Sequence, residues 1–438
     1  MLARVLVILA LLAGTRAWPQ EETGASQSNE GMTVPPAVSG IAYPSEVGAE
    51  SRSNYLLGGF TFSTGFIDNV YAGSTTTAND VTYIVQPTVA FDQTTGRVHE
   101  SVTYTPGFTF YQPTSSLDVV NEVGGADFQF RLSPHVSLRA ADNVAEISSP
   151  FDEPYSSGAG AVSGTTQTVT PGVVAPFARQ VTNTASTQLA WQFSRADMIG
   201  ASGSANELHY PDPSQAAGLG DSSSEGGSVF YTHRVSAGQY FGANAQYSQS
   251  SGTPFAVQTN TQTESALPFY TMYLSPTFTF TVSGGPQYYS VAATGYPTSH
   301  SWGPAVTGSI AWQGLHTSMA ASFNRTVTAG AGLAGAYQSS SATLSGRWQM
   351  LRTWTGALGA SYAQNKSAIP LLVGSNVEGH TLSGSVSLEH SMGEHLTFSA
   401  NYTRMHESYP TVAAIAVDPD TDRALVSIFY RFSRPIGQ

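Results

Sequence analysis

The sequence predicts an all-β fold, a transmembrane antiparallel up-and-down β-barrel of about 18 strands, with 16 as the alternative count. Three observations carry this. Segments that alternate apolar with small polar residues recur from Tyr55 to the C-terminus. The connections between them alternate between short and long. Only 11% of the 438 residues are charged, against about 25% in a typical soluble protein.

The last segment shows the pattern best. Val426, Ile428, Tyr430 and Phe432 share one parity, Ser427 and Arg431 interleave with them, and Phe429 is the misfit. Strand side chains alternate faces, so the segment has one apolar face and one mostly polar face. Leu358, Ala360 and Tyr362 stand likewise against Thr355, Ser361 and Ala363, and Leu382, Val386 and Leu388 against Thr381, Ser383, Ser385 and Ser387. Leu396, Phe398, Ala400 and Tyr402 oppose Thr397, Ser399, Asn401 and Thr403, while Phe278, Phe280 and Val282 oppose Thr277, Thr279, Thr281 and Ser283. Ser or Thr at every second site needs water or dense hydrogen bonding, which the interior of a soluble sheet does not offer.

In chain order, Arg4, the apolar run Val5 to Ala13 and the small-x-small site Thr15-Arg16-Ala17 read as a secretory signal peptide, residues 1–17. It is too short to span a bilayer as a helix. Residues 18–54 are rich in Ser, Glu, Gly and Pro without a period and read as a flexible leader. Residues 55–438 are the barrel. Short connections fall at Asp92–Arg97, Leu132–His135, Ser236–Gln239, Ser275-Pro276, Gly314-Leu315, Met350–Thr353 and Met392–His395. Long ones fall at Ile67–Asp80, Ser148–Thr182, Pro211–Gly226, Ser250–Ala266 and Glu407–Asp422. A strand rising at Tyr55 and about 18 crossings return the last strand to the side of the first. The weakest segments are Ile199 to Tyr210 and Asn121 to Gly125, and losing one such pair gives 16. Trp302, Trp312, Trp348, Trp354, Tyr402, Tyr430 and Phe432 sit near strand ends, as interfacial girdles require.

Composition excludes several classes. There is no cysteine, hence no disulfide framework, lipid-modified cysteine or thiolate metal site. A formal charge of −12 without a basic cluster argues against nucleic acid. After the signal, no apolar run approaches the roughly 20 residues of a spanning helix. Gly330-Ala-Gly332-Leu-Ala-Gly335 fits a dinucleotide fingerprint but precedes a strand pattern, Tyr337 to Gln349, rather than a helix. Asp418-Pro-Asp420-Thr-Asp422 begins like a calcium loop, yet Arg423 and Phe429 stand where Gly and Glu are needed; a solvated acidic turn is the simpler reading. The histidines, among them His380, His390 and His395, lack metal-ligand spacing, and no Gly-x-Ser-x-Gly elbow occurs. No enzyme activity, cofactor or metal is expected.

Parity points Arg131, Arg139, Arg347 and Arg431 inward, with Arg234, each near a short turn or the C-terminal strand end. They would form a cationic collar at one mouth and bias which ions pass. The alternative is that they pair with Glu389, Asp127 or turn carboxylates and merely close that mouth.

The signal, the leader and the closing Val426-Ser-Ile-Phe-Tyr-Arg-Phe432 strand resemble Gram-negative outer-membrane β-barrel, porin-like proteins; no characterised subfamily is implied. The resemblance implies a periplasmic leader and short periplasmic turns, contact with outer-membrane lipids and lipopolysaccharide, and Val426, Ile428, Tyr430 and Phe432 as the signal read by the barrel-assembly machinery. One departure is that Ser433 to Gln438 follow the aromatic on which that signal usually ends. The expected function is an outer-membrane channel for passive diffusion of small hydrophilic solutes or ions, with the Ser148–Thr182 loop as a candidate constriction. The rivals are a structural or surface-interaction barrel closed by its loops and, behind it, an outer-membrane hydrolase. No subunit interface is marked, and an oligomer stays open.

Overall fold

The structure is a computed structural model that describes residues 54–71, 78–148, 178–212, 220–253, 258–275, 277–330, 333–368, 378–409 and 420–435. Their strands are β1 (Asn54–Ile67), β2 (Asp80–Thr94), β3 (Val98–Tyr111), β4 (Val119–Ser133), β5 (Val136–Ile147) and β6 (Gln180–Gln192). Next come β7 (Asp197–His209), β8 (Ser222–Ser236), β9 (Gln239–Gly252), β10 (Thr259–Ser275), β11 (Phe278–Ala293) and β12 (Ser299–Gln313). The last six are β13 (Thr317–Gly330), β14 (Leu333–Leu351), β15 (Trp354–Ser367), β16 (Glu378–Met392), β17 (Leu396–Ser408) and β18 (Asp420–Pro435). Each pairs antiparallel with its chain neighbours, and β1 meets β18 from Tyr55↔Pro435 to Ile67↔Arg423, closing an 18-stranded barrel.

Both weak segments are strands, Asn121 to Gly125 within β4 and Ile199 onward within β7, so the count is 18. The expected signal peptide and residues 18–53 of the expected leader lie outside the described residues. All seven short connections lie at strand junctions on one side of the barrel, and an eighth, Phe193–Ala196, joins β6 to β7. Three long connections are shorter than expected, because strands begin at Ser222, Thr259 and Asp420. Those ends, such as Thr259 to Ser265, carry polar residues on both faces and lose the alternation, yet their backbones still pair. Strands such as β10, 17 residues, and β14, 19 residues, exceed the roughly 9–11 that cross a bilayer. The extra length projects beyond the apolar band.

The faces follow period two. Leu382, Val386, Val426 and Ile428 are 49%, 61%, 42% and 47% exposed on the outer face, while Thr381, Ser383 and Ser427 are buried inside. Inner hydroxyls bond across neighbouring strands: Ser63 to Ser427 at 2.8 Å, Ser361 with Ser383 at 2.7 Å, Ser322 with Thr343 at 2.6 Å. These pairs are the hydrogen bonding that the Ser/Thr row requires. The misfit Phe429 is explained at the closing seam. Opposite it lies glycine-rich β1, and a Cβ on Gly59 would lie 2.7 Å from the Phe429 ring, so the ring occupies space that only glycine leaves. β18 itself continues past Phe432 to Pro435, paired with Tyr55 to Gly58.

Candidate functional site: the lumen and its in-turned hairpin

Among the described strands, the ladder between β12 and β13 ends early. β12 pairs with β11 up to Ser299, but its ladder with β13 stops at Val306↔Arg325. The cause is local. Pro304 faces Pro286 of β11, and two prolines can oppose each other only as a non-hydrogen-bonded pair. The nitrogen of Pro304 therefore points toward β13 with no hydrogen to donate, and Gly303 beside it adds no side chain.

Freed from β12, the far ends of β13 and β14 turn into the lumen and come into contact with β8, β9, β10 and β11. Gln287, on the inner face of β11, clamps them. Its Nε2 donates to the Val327 carbonyl at 2.8 Å, and its Oε1 accepts from the Val327 N–H at 2.8 Å and from the Thr326 hydroxyl at 3.2 Å. One carboxamide thus mimics a strand partner for the residue that lost one. Around it, Tyr289 and Val291 of β11 pack with Val327 and Ala336 of the hairpin into a buried cluster. Val327 has the outward parity of β13, yet it is buried because its outward face now lies on the inner wall.

At the mouth opposite the short turns, two tyrosines and a carboxylate are buried. Tyr210, just past β7, is buried, and its phenol is pushed up first by burial, then by the carboxylates of Asp221 and Glu407. Glu407 belongs to β17, on the opposite wall in strand order. Beside it, Tyr409 accepts from Asn365 Nδ2 at 2.8 Å and lies over Gly379. Burial first, with Glu407 adding to it, raises Tyr409 to about 12 against the opposing bonds of Thr381 and Asn365.

At the short-turn mouth, Arg131, Arg139, Arg234, Arg347 and Arg431 all occupy inward positions, spread over β4, β5, β8, β14 and β18. Arg139 Nη2 bonds Asp127 at 2.7 Å. Arg234 donates to its own turn at Ser236 O, 3.2 Å, and Arg431 to Glu394 O, 3.5 Å. Glu389 is on the inner face of β16 and half-buried. The candidate assembly residues Val426, Ile428, Tyr430 and Phe432 form one exposed outer row, 42–52% accessible.

Asp420 and Asp422 are part of β18 rather than an external loop; Asp418 lies outside the described residues. Asp420 meets His406 at 2.9 Å and Arg404 at 3.4 Å, and Asp422 accepts from the Tyr402 hydroxyl at 2.6 Å, so both carboxylates have partners within the wall. The glycine fingerprint falls where β13 turns into β14, Gly330 paired with Leu333, a strand-to-strand turn. His390 stacks on Trp354, ring centroids 4.3 Å apart. The Ser148–Thr182 connection lies almost wholly outside the described residues. Among the described residues the β13–β14 hairpin turns inward, and the signals for it were Gly303-Pro304 and the inward Gln287.

Neither a family model nor a curated protein matches the sequence. Solved structures similar to the fold include the FrpB iron transporter from Neisseria meningitidis, at 11% identity over 86% of this chain and 81% of that one, TM-score 0.41. OccK2 (OpdF) of Pseudomonas aeruginosa is similar at 10% identity over 87% and 98%, TM-score 0.41. So is BauA, the ferric preacinetobactin receptor from Acinetobacter baumannii, at 10% over 87% and 80%, TM-score 0.44.

Proposed function

We propose that this protein is an outer-membrane channel for passive diffusion of small hydrophilic solutes or ions, narrowed by its own β13–β14 hairpin. The observation that carries the reading is the pairing of an exposed apolar outer row with a Ser/Thr inner row around a closed 18-stranded wall. A predominantly apolar exterior on this scale is stable against lipid rather than water. A barrel of this size is wide enough for an aqueous path beside an in-turned element. On this reading the exterior meets outer-membrane lipids and lipopolysaccharide, export runs through residues 1–17, and the row Val426 to Phe432 engages the barrel-assembly machinery.

The purified, heat-modifiable protein gives discrete single-channel steps in planar bilayers. Their absence from a correctly folded sample sinks the channel. Replacing Arg347 and Arg431 with Ala lowers the anion-to-cation permeability ratio, because inward cations concentrate anions at the short-turn mouth. An unchanged ratio dismisses the collar. A second reading, a barrel that displays loops and is closed by its own chain, draws support from the buried Tyr210, Glu407 and Tyr409. It requires no steps, and a defect in adhesion or envelope integrity when the gene is removed.

A further inference from the structure

The inner wall is not evenly open. On β1, β10, β11, β16 and β18 the inner hydroxyls Thr61, Thr271, Thr281, Ser383 and Ser427 are buried. Several are bonded to one another across the wall, as Thr271 is with Thr281 at 3.2 Å and Ser383 with Ser361 at 2.7 Å. The in-turned ends of β13 and β14 lie against β8 to β11. On β5, β6 and β7, by contrast, inner positions at mid-strand are exposed: Asn143, Thr184, Ser186 and Ser204. These four are contiguous, since Asn143 stands opposite Thr184 and Ser186 opposite Ser204. None of their side chains makes a hydrogen bond among the described residues. Charge is absent from the same sector. No inner position of β6 or β7 carries a charged side chain, and on β5 Arg139 alone does. That guanidinium is held by Asp127 at 2.7 Å.

We infer that solutes cross along the inner face of β5–β7 and that this sector selects neutral polyols, molecules covered in hydroxyl groups and free of fixed charge. The inference rests on the channel reading and names its substrate class. The hydroxyls of Thr184, Ser186 and Ser204 each donate and accept, and the carboxamide of Asn143 does both as well. A solute hydroxyl finds on this wall the two roles it had in water, so exchanging one for the other costs little. An ion fares worse. It gives up part of its hydration beside a low-dielectric wall and meets dipoles with no opposite charge behind them. The same hydroxyls on β10 and β11 cannot serve a solute, because they are covered and already paired. The collar and this stretch therefore do different work. Arginines at the short-turn mouth sort ions by sign, whereas the β5–β7 sector separates neutral solutes from ions of either sign.

Tracer influx into vesicles carrying the protein, in symmetrical potassium chloride, tests the preference. Sorbitol enters about fivefold faster than gluconate or glucosamine, six-carbon solutes of similar size that carry a negative and a positive charge. Thr184→Val, Ser186→Ala and Ser204→Ala, combined, remove the hydroxyls at nearly constant shape, and sorbitol then enters no faster than gluconate. Thr271→Val with Thr281→Val, on the covered wall, leaves the preference as it was. The absence of cysteine adds a reading that does not depend on the triple variant. A thiosulfonate reagent bearing a sulfonate lowers the conductance of Ser204→Cys about twofold and leaves that of Ser427→Cys unchanged. Equal influx of the three solutes, an unchanged preference in the folded triple variant, or no block at Ser204→Cys overturns the inference, while single-channel steps in the same samples keep the channel. Absence of steps together with no influx of any solute removes the channel itself, and the inference falls with it.

Discussion

Substituting Gln287 with Leu raises single-channel conductance several-fold and makes the open level fluctuate. The substitution keeps the size of the side chain but removes both contacts to the Val327 backbone, 2.8 Å each. Val327 is 3% exposed, so its N–H and C=O would stay buried without partners. Each such group costs about 1–3 kcal/mol, and every 1.4 kcal/mol shifts a population about tenfold. The docked hairpin cannot carry both losses, and it swings off the wall to recover them in water. Gln287→Glu goes at least as far: its carboxylate still accepts from the Val327 N–H but sets a buried negative charge against the carbonyl, so its conductance rises no less than that of Gln287→Leu. The converse is a lock. A Cβ at Gly303 lies 3.4 Å from Val327 Cγ2, within reach for a disulfide between Gly303→Cys and Val327→Cys. Oxidised, that variant holds the lower conductance even with Gln287→Leu. Equal conductance in Gln287→Leu and the parent protein would remove the hairpin from any gating role.

The in-turned hairpin shows where sequence reading stops. Strand faces were legible because period two is a local property: Ile428 and Ser427 declare their faces without reference to any partner. Inward placement of Arg139 and Asp127 follows from the same rule, but their ion pair does not. It needs the register that sets Arg139 opposite Gln129 and Asp127 opposite Ala141, which makes the two a diagonal neighbour pair. The hairpin is a stronger case. Pro304 alone is a strand proline of the kind that sits at edges. Only its opposition to Pro286 directs the missing donor toward β13, and only the inward Gln287 then rewards the hairpin for leaving the wall. Loop length gives no sign of it, since β13 and β14 are joined by a connection of two residues. Phe429 was a misfit in alternation for a related reason, since the glycine that accepts its ring is more than 360 positions away at Gly59.

Arginine at Ile428 destabilises the protein in phospholipid vesicles by about 2–4 kcal/mol, whereas arginine at Phe432 costs about 0–1 kcal/mol. Both residues lie on the outer face of β18, and their exposures, 47% and 52%, are nearly the same. Burial therefore cannot distinguish them, and in water both substitutions would fall within about 0.5 kcal/mol of neutral. Depth does distinguish them. Ile428 sits midway along the 16 residues of β18, between Phe62 of β1 and Phe398 of β17, where hydrocarbon is thickest. Phe432 is three residues from the short-turn end, where an arginine reaches the headgroups by bending its stem toward water. Urea-driven unfolding of the two variants from vesicles measures the difference directly. A gap of 2 kcal/mol or more places the row from Val426 to Phe432 in lipid with Ile428 near the midplane. Equal, small effects at both positions would return the whole barrel to water, because an exposed isoleucine on a soluble sheet tolerates a charge as readily as an exposed phenylalanine does.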